Sequence, residues 1–375
     1  MLTQPQRGMR ECILLTDPTS PCFQSFTLTK AVKRLAALRK AVVRPDEKRT
    51  CRYLAALSFG PSSAALIRML HENLCYVRSK ANSKVPVAYD ILVLHIDTDL
   101  RSPAAGEVSE AEKMLARYKE RFPDLEFRCT SLGDALKLGS VDWSALPSVG
   151  DEGSPADRMR ALFDALPSVT SKADVLRLLI RHLLLAQAVE NGCEALLLGC
   201  TTTALAELTL AEVAKGRGFS VPWQINDGPF PLPAGSDGGT SPGTLQIYYP
   251  LRDVFRKEIH TYLSLCDPPL TDLVVSSDPE AARDAVVSHK DLSIEEAMAR
   301  YFESVEESYP AVVTNVVRTT GRLERAGGEG ASCSVCGMTV DESGDARWKG
   351  EIGAEERDSS GNAPLCYGCE RSIHG

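Results

Sequence analysis

Short apolar segments alternate along this chain with longer segments of helical periodicity, and this alternation limits the possible folds more than any other feature. The apolar segments read as strands, in chain order CRYLAALSF, VAYDILVLHID, LEFRCTSL, CEALLLGC and TLQIYYP. Strands that alternate with helices are joined by right-handed crossovers and form a mostly parallel sheet covered on both faces. We therefore predict an α/β fold with helices on both faces of one sheet.

The turn after the first predicted strand has the form of a phosphate-binding turn. The strand leads through Ser-Phe-Gly-Pro-Ser-Ser into a helix predicted over about residues 62–76. The free N–H groups and the dipole of a helix N-terminus favour an anion, and ligands of open α/β sheets bind beyond the carboxyl ends of the strands. The turn is neither a Walker loop nor a three-glycine dinucleotide turn. The candidate phosphate-binding residues of this turn are Ser58, Gly60, Ser62 and Ser63.

A basic stretch interrupts an otherwise acidic chain. The 375 residues carry a formal net charge of -8, yet the segment from Lys30 to Arg52 holds nine Lys or Arg against two acidic residues. Such asymmetry is common in proteins that bind polyanions, but a solvated face of the predicted amphipathic helix explains it equally well. The candidate polyanion-binding residues on that helix are Lys30, Lys33, Arg34, Arg39 and Lys40.

Two Cys-X-X-Cys pairs lie in a polar C-terminal segment that has too few apolar residues for a core. They are Cys333/Cys336 and Cys366/Cys369, and 29 residues separate them, which exceeds the usual spacing of roughly 15 to 20 in zinc ribbons. Four thiolates in two tight turns match a tetrahedral zinc site, in which metal binding supplies the folding energy. Incidental thiols and a redox dithiol are the alternatives. We predict a structural zinc-ribbon-like module.

Composition divides the chain into four predicted regions. These are an N-terminal segment with the basic helix (1–49), the α/β domain (50–275), a helical connector with helices on either side of Pro310 (276–326) and the four-cysteine zinc-binding module (327–375). The proline-rich segment 229–243 is predicted to be a loop, because proline lacks the N–H donor of a strand. No apolar run has the length of a bilayer span and no export signal is evident, so we expect an intracellular protein with reduced thiols.

Four segments, in this order, resemble the cytoplasmic tRNA 2-thiolation protein 2 family: LSFGPSSAALIRMLHE, KGRGFSVPWQINDG, YYPLRDVFRKEIHTYL and PLCYGC. KGRGFSVPW followed by PLRD is the most discriminating combination. The resemblance implies a Rossmann-like adenine-nucleotide alpha-hydrolase (PP-loop) fold, a cytoplasmic role in thiolating the wobble uridine of tRNA to 5-methoxycarbonylmethyl-2-thiouridine, and a heterodimer with the catalytic thiolase subunit 1. It also implies sulfur delivery from the ubiquitin-related modifier. We expect tRNA to contact the basic helix together with the turn of Lys215 and Arg217.

Comparison with active PP-loop enzymes predicts that catalysis is absent here. Their loop reads Ser-Gly-Gly-X-Asp-Ser, whereas Phe59 replaces the first glycine and Ser62 the acidic residue. We expect Phe59 to add bulk beside the phosphate path, and the missing carboxylate weakens magnesium binding. After ALLLG the chain continues Cys-Thr-Thr-Thr-Ala, with no carboxylate before Glu207. We therefore predict a non-catalytic subunit with no assigned catalytic residue and with ATP binding in doubt. The alternatives are an ATP-dependent tRNA-adenylating sulfurtransferase and an RNA-free zinc scaffold.

Overall fold

The computed structural model describes residues 21–43, 47, 49–81, 89–101, 108–148, 150, 152–232, 243–275, 292–325, 332–340 and 365–375. The described strands form one six-stranded sheet in the order β3-β2-β1-β4-β6-β5. Their bounds are β1 Cys51–Ala56, β2 Tyr89–Asp97, β3 Glu126–Ser131, β4 Ala195–Leu197, β5 Gly228–Pro231 and β6 Thr244–Tyr248. All neighbours pair in parallel except β5, which runs antiparallel to β6. The predicted α/β fold is confirmed.

Helices connect the strands and cover the sheet. Their bounds are α1 Pro21–Val42, α2 Pro61–Lys80, α3 Glu110–Arg121, α4 Pro155–Ala165, α5 Val169–Glu190, α6 Thr202–Ala214, α7 Val221–Ile225, α8 Arg256–Leu265, α9 Ile294–Ser308, α10 Pro310–Thr320 and α11 Tyr367–His374. Among the described residues, no helix is long and apolar enough to span a membrane. The predicted region boundaries near residues 276 and 327 lie outside the described residues, as do Arg44 and Lys48 of the basic stretch.

Two hydrophobic layers lie on the two faces of the sheet, because successive strand residues point to opposite sides. One layer contains buried residues of α5, and its strand members are Leu54, Leu92, Leu94, Leu196 and Ile247. The other contains buried residues of α1, α2 and α8, and its strand members are Tyr53, Ala55, Ile91, Val93 and Leu197. Burial of both faces explains why the central strands are apolar almost throughout.

The predicted loop over 229–243 is wrong for its first residues. Gly228–Pro231 forms β5, which pairs with β6 at the edge of the sheet. An edge strand needs ladder hydrogen bonds on one side only, so proline is tolerated there. Residues 233–242 lie outside the described residues.

The C-terminal cysteine module shares a core with the α/β sheet. Its first cysteine pair lies between the bridged residues Ser332 and Thr339, and its second pair begins α11. Val335, Met338 and Ile373 belong to the same buried cluster as the apolar side of α5. The module is therefore packed against the sheet domain through apolar contacts.

Candidate functional site

The order of the strands creates a switch point between β1 and β4. The chain moves outward from β1 to β2 and β3, and then returns to the other side of β1 with β4. The turns after β1 and β4 meet there: a Cβ on Gly199 would lie 3.2 Å from both Ser62 O and Ser63 Cα. In open α/β sheets this crevice is the ligand-binding position, so the predicted phosphate turn lies where such a fold would use it.

The turn after β1 is closed by its own hydroxyl groups. Ser63 Oγ donates to Gly60 O at 3.0 Å and accepts from the Ser58 N–H at 3.2 Å. Ser58 Oγ lies 3.2 Å from Ser63 Oγ and accepts a long bond of 3.4 Å from the Gly60 N–H. Pro61 begins α2 and has no N–H to offer a phosphate. The turn keeps its shape, but its own side chains use several of the groups that a phosphate would need.

The side chain of Phe59 does not lie where the sequence analysis expected it, beside the phosphate path. Its backbone φ is 60°, in the left-handed region, and its side chain is buried. The ring stacks on His95 with centroids 4.0 Å apart and lies 5.7 Å from the ring of Tyr118. The phenyl group therefore packs inside the protein, and the expectation that it adds bulk beside the phosphate path is wrong.

His95 supports the same turn from β2. Its Nδ1–H donates to Leu57 O at 2.8 Å. Burial lowers the pKa of His95, because a charged imidazole would lose its hydration. The ring is a neutral support for Phe59 and the end of β1.

Hydroxyl groups follow β4 where active PP-loop enzymes were expected to carry carboxylates. Thr201 Oγ1 caps α6 by accepting from the Ala204 N–H at 3.2 Å, and Thr202 Oγ1 donates to Arg252 O at 2.6 Å. All three threonines are buried. The first following carboxylate, Glu207, is bound by Arg256 at 2.6 Å. These groups serve the fold, and none of these threonines is free to organise magnesium.

The four predicted metal cysteines come together in what we call the four-cysteine centre. The Sγ atoms of Cys333, Cys336, Cys366 and Cys369 all lie within 4.8 Å of one another, and all four residues are buried. Cys336 Sγ and Cys366 Sγ are 3.8 Å apart. A tetrahedral ion with metal–sulfur bonds of about 2.3 Å places its ligands about 3.8 Å apart. The donor set and its size therefore fit a single metal ion.

The backbone around these cysteines adopts two tight turns. The Gly337 N–H donates to Cys333 O at 2.9 Å, and the Cys333 N–H donates to Met338 O at 2.8 Å. Gly337 has φ of 68°, which favours glycine. In the second turn Cys366 caps α11, with its Sγ accepting from the Cys369 N–H at 3.4 Å. Each Cys-X-X-Cys pair thus directs both thiols to one side.

Lys215 and Arg217, predicted to contact tRNA, are buried beside this centre. Their exposed fractions are 6% and 3%. Lys215 Nζ binds Asp174 at 2.7 Å and Glu295 at 2.6 Å. Arg217 binds both carboxylate oxygens of Asp174, at 2.9 and 2.5 Å, and its Nη2 lies 3.4 Å from Cys369 Sγ. The prediction that these two residues contact tRNA directly is wrong, because both are buried and their charges are neutralised by carboxylates inside the protein.

The acidic half of this network lies on α5 and α6. Asp174 and Glu212 are fully buried, and both carboxylates bind Lys215 and Arg217. Burial opposes ionisation of Asp174, but Arg217, Lys215 and Arg177 outweigh it and hold the pKa of Asp174 below its usual range. Asp174 also accepts from Ser372 Oγ of α11 at 2.7 Å. The network therefore links the two helices to the cysteine module.

Two glycines make this contact possible. Gly216 has φ of 81°, and a Cβ there would lie 2.3 Å from Tyr367 Cδ1. In return, a Cβ on Gly368 would lie 2.4 Å from Arg217 Cγ and 2.8 Å from Lys215 O. The segments KGRG and CYGC thus interlock, each filling the space left by the other's missing side chain. Sequence reasoning missed this role, although the paired glycines beside a basic turn were its signal.

His182 of α5 holds the first cysteine turn and was also missed. Its Nε2–H donates to Val335 O at 2.9 Å, so Nδ1 is the acceptor for Ser140 Oγ at 3.0 Å. Burial lowers the pKa of His182 to about 4. The neutral ring is thus fixed in one tautomer between the sheet domain and the module.

Only part of the predicted basic surface is available on α1. Lys30 pairs with Glu258 at 3.1 Å, and Arg34 pairs with Asp227 at 2.8 Å as well as with Asp253. These pairs fasten α1 to neighbouring parts of the chain. Lys33 and Lys40 are exposed and Arg39 is half-buried. The outward-facing positive charge is therefore smaller than the residue count indicates.

Fold and site together define a class: an α/β protein with a mostly parallel sheet, whose glycine turn after β1 is bonded within itself and whose four-cysteine centre is packed against the sheet domain. The family model described as Cytoplasmic tRNA 2-thiolation protein 2 matches residues 293–363. The chain belongs to the cytoplasmic tRNA 2-thiolation protein 2 family, because members of that name are similar over most of its length. The resemblance found in the sequence is confirmed.

Two relatives illustrate the similarity. The protein of Phaeosphaeria nodorum is 39% identical over 364 residues, which cover 94% of this chain and 88% of the relative. The protein of Sclerotinia sclerotiorum is 40% identical over 301 residues, covering 79% and 74%. Among solved structures, the U34-tRNA thiolase of Methanococcus maripaludis with its [4Fe-4S] cluster matches with a TM-score of 0.48 and 14% identity, covering 80% of this chain and 79% of that one.

Proposed function

We propose that this chain is a non-catalytic subunit of the cytoplasmic machinery that 2-thiolates the wobble uridine of tRNA. It supports formation of 5-methoxycarbonylmethyl-2-thiouridine as a heterodimer with the catalytic tRNA thiolase subunit 1, with sulfur from the thiocarboxylated ubiquitin-related modifier. Family membership supports the pathway. The observation that carries the non-catalytic role is the switch point, where hydroxyls that bond within the protein occupy the places of the phosphate ligands and carboxylates.

The chemistry of thiolation explains why that observation matters. The uridine 2-oxygen is a poor leaving group, so ATP must adenylate it before a sulfur nucleophile displaces AMP. Adenylation needs a phosphate turn and magnesium-binding carboxylates. Sulfur transfer needs a thiolate, yet burial raises the pKa of Cys200, the thiol that follows β4, to about 11. In the described segment that follows β4, residues 200–206 supply neither a carboxylate nor a thiol that ionises readily.

Cellular thiolation tests the pathway assignment. In cells that lack this protein, mass spectrometry of tRNA should show loss of wobble-uridine thiolation, restored by the wild-type chain. For the non-catalytic role, the purified chain with tRNA and ATP should release no pyrophosphate. Pyrophosphate release that Gly60→Trp abolishes would instead establish the ATP-dependent sulfurtransferase.

For tRNA binding we propose the exposed part of α1. Lys33, Arg39 and Lys40 form this surface. Lys30 and Arg34 lie on the same helix and contribute less positive potential, because each is paired with a carboxylate. Phosphate contacts make affinity fall with salt, and each lost contact reduces the slope by about one.

The matched test uses the heterodimer and tRNA at several salt concentrations. Lys33→Glu with Lys40→Glu should weaken binding and flatten its salt dependence. Lys119→Glu, which changes an exposed lysine of α3, is the control and should have little effect. Equal affinity of the double variant and the control would refute this surface. A heterodimer that binds no tRNA at all would favour the RNA-free zinc scaffold.

In the four-cysteine centre we propose structural zinc. The residues that would hold it are Cys333, Cys336, Cys366 and Cys369, and the bound ion would fix the two turns. The purified chain should retain one tightly held zinc through gel filtration, and Cys366→Ser should lose it. Cys129→Ser, an exposed cysteine of β3 outside the centre, should keep it. Iron in place of zinc would contradict the assignment.

A further inference from the structure

We propose that His71, Cys75 and Asp124 form a second metal site, which binds one zinc ion and leaves a fourth position open. Their ligand atoms all lie within 4.8 Å of one another. His71 Nε2 lies 3.5 Å from Asp124 Oδ2 and 3.5 Å from Cys75 Sγ. None of these residues belongs to the four-cysteine centre or to the turn after β1.

The backbone brings the three ligands together. His71 and Cys75 are four residues apart on α2, and that spacing places two side chains on the same face of a helix. Asp124 comes from the turn between α3 and β3. The sequence alone does not indicate this site, because Asp124 comes close to His71 and Cys75 only in the folded protein.

The separations match a tetrahedral ion. Zinc bonds of about 2.0 to 2.2 Å to nitrogen and oxygen and about 2.3 Å to sulfur, at tetrahedral angles, give ligand separations of about 3.3 to 3.6 Å. The two measured separations from His71 Nε2 are both 3.5 Å. An ion could therefore enter with little movement of the histidine and either neighbour.

The surroundings hold one ligand firmly and leave the site open. The His71 ring packs against Phe122 with centroids 5.3 Å apart, and its side chain is 17% exposed. Asp124 is 52% exposed, so water can reach the ion as a fourth ligand. Arg78 lies 3.4 Å from Asp124 and 3.6 Å from Asp90. Arg78 can remain paired with Asp90 when Asp124 binds the metal.

The donor chemistry selects the ion. A thiolate with an imidazole favours zinc and other borderline or soft metals, whereas magnesium and calcium prefer oxygen ligands alone. The site is also remote from the nucleotide crevice. At about 1.5 Å per residue along α2, His71 lies roughly 16 Å from the turn at Gly60. A metal here would therefore not take part in phosphate binding.

The experiment titrates the full chain, with its four-cysteine centre filled, with Zn²⁺ by calorimetry and with Co²⁺ by visible absorption. We expect a second, weaker equivalent whose cobalt spectrum shows thiolate coordination. Loss of an outer-shell partner already weakens metal binding roughly tenfold to a hundredfold, so Cys75→Ser, which removes a ligand, should weaken this equivalent by at least tenfold, and His71→Ala should remove it. Cys129→Ser, the matched control at another exposed cysteine, should leave it unchanged.

A further variant keeps the test decisive if a ligand substitution disturbs folding. Arg78→Gln removes the cation that competes for Asp124 and should tighten the second equivalent. The proposal is overturned if the chain with its filled four-cysteine centre binds no further equivalent, if that equivalent survives both Cys75→Ser and His71→Ala, or if Arg78→Gln weakens it.

Discussion

Replacing Arg217 by methionine tests whether the turn after α6 secures the four-cysteine centre. Methionine keeps an unbranched apolar stem beside Gly368 but removes the guanidinium. Asp174 would lose two hydrogen bonds, of 2.9 and 2.5 Å, and Cys369 Sγ would lose the cation 3.4 Å away. Arg217→Met should therefore destabilise the fold and loosen the metal together.

The expected loss of stability depends on which partners Asp174 keeps after Arg217 is replaced. Removing one partner of a buried ion pair costs roughly 3 to 5 kcal/mol, because the other charge stays buried and uncompensated. Asp174 keeps Lys215, Arg177 and Ser372 as partners, so we expect the lower end, about 3 kcal/mol. With an unfolding entropy of about 2.1 cal/mol/K per residue, a chain of 375 residues shifts its thermal midpoint by roughly 1.3 °C per kcal/mol, so the midpoint should fall by about 4 °C.

The assay combines thermal unfolding with release of the proposed zinc ion to a chromophoric chelator. Arg101→Met is the control, because Arg101 pairs with Asp99 at the surface with 86% of its side chain exposed. Exposed pairs of this kind contribute little to stability, because water screens both charges. Adding Asp174→Asn to Arg217→Met should restore part of the stability, since it removes the negative charge that Arg217 no longer balances. If Arg217→Met has the same thermal midpoint and the same rate of metal release as Arg101→Met, then Arg217 does not secure the four-cysteine centre.

Three further substitutions test other parts of the site. Gly216→Ala should destabilise the protein, because its Cβ would lie 2.3 Å from Tyr367, and Tyr367→Ala in the same chain should recover part of the thermal midpoint. Phe59→Gly should relieve about 1 kcal/mol of backbone strain but lose roughly 3 to 5 kcal/mol of buried packing, lowering the urea midpoint without producing pyrophosphate release. Burial lowers the pKa of His182 to about 4, so on acidification the unfolded chain takes up this proton before the folded chain does, and stability falls as the pH drops. Urea unfolding should show a loss of about 2 kcal/mol between about pH 7 and pH 5. His182→Gln should retain the metal and lack this pH dependence.

Periodicity predicted the sheet because local sequence controls it. The strands and helices follow from apolar spacing, and the order of segments fixes the crossovers. The error at β5 came from treating proline as incompatible with any strand, while Pro229 and Pro231 lie on an edge. Whether a strand is central or at the edge depends on the assembled sheet, which local composition does not show.

The basic residues could not be assigned from the sequence for a related reason. Lys33 and Lys215 are the same residue type, yet one is exposed on α1 and the other is buried between Asp174 and Glu212. Charge along the chain does not indicate which carboxylates the fold will bring close. The cysteine cluster was predictable because each Cys-X-X-Cys turn carries half of its geometry locally.

The interlocked glycines also explain why KGRG and CYGC occur together in this chain. Gly216 leaves room for Tyr367, and Gly368 leaves room for Arg217, so a side chain at either glycine would force the two segments apart. The turn of Lys215 and Arg217, which was predicted to contact tRNA, is instead part of the contact that seats the four-cysteine centre on α5 and α6. The proposed recognition of tRNA is then assigned to residues that reach solvent, such as Lys33 and Lys40 of α1. Substitutions in the interlock should reduce tRNA thiolation only as far as they unfold the protein or release its metal, whereas substitutions on α1 should act with the fold intact.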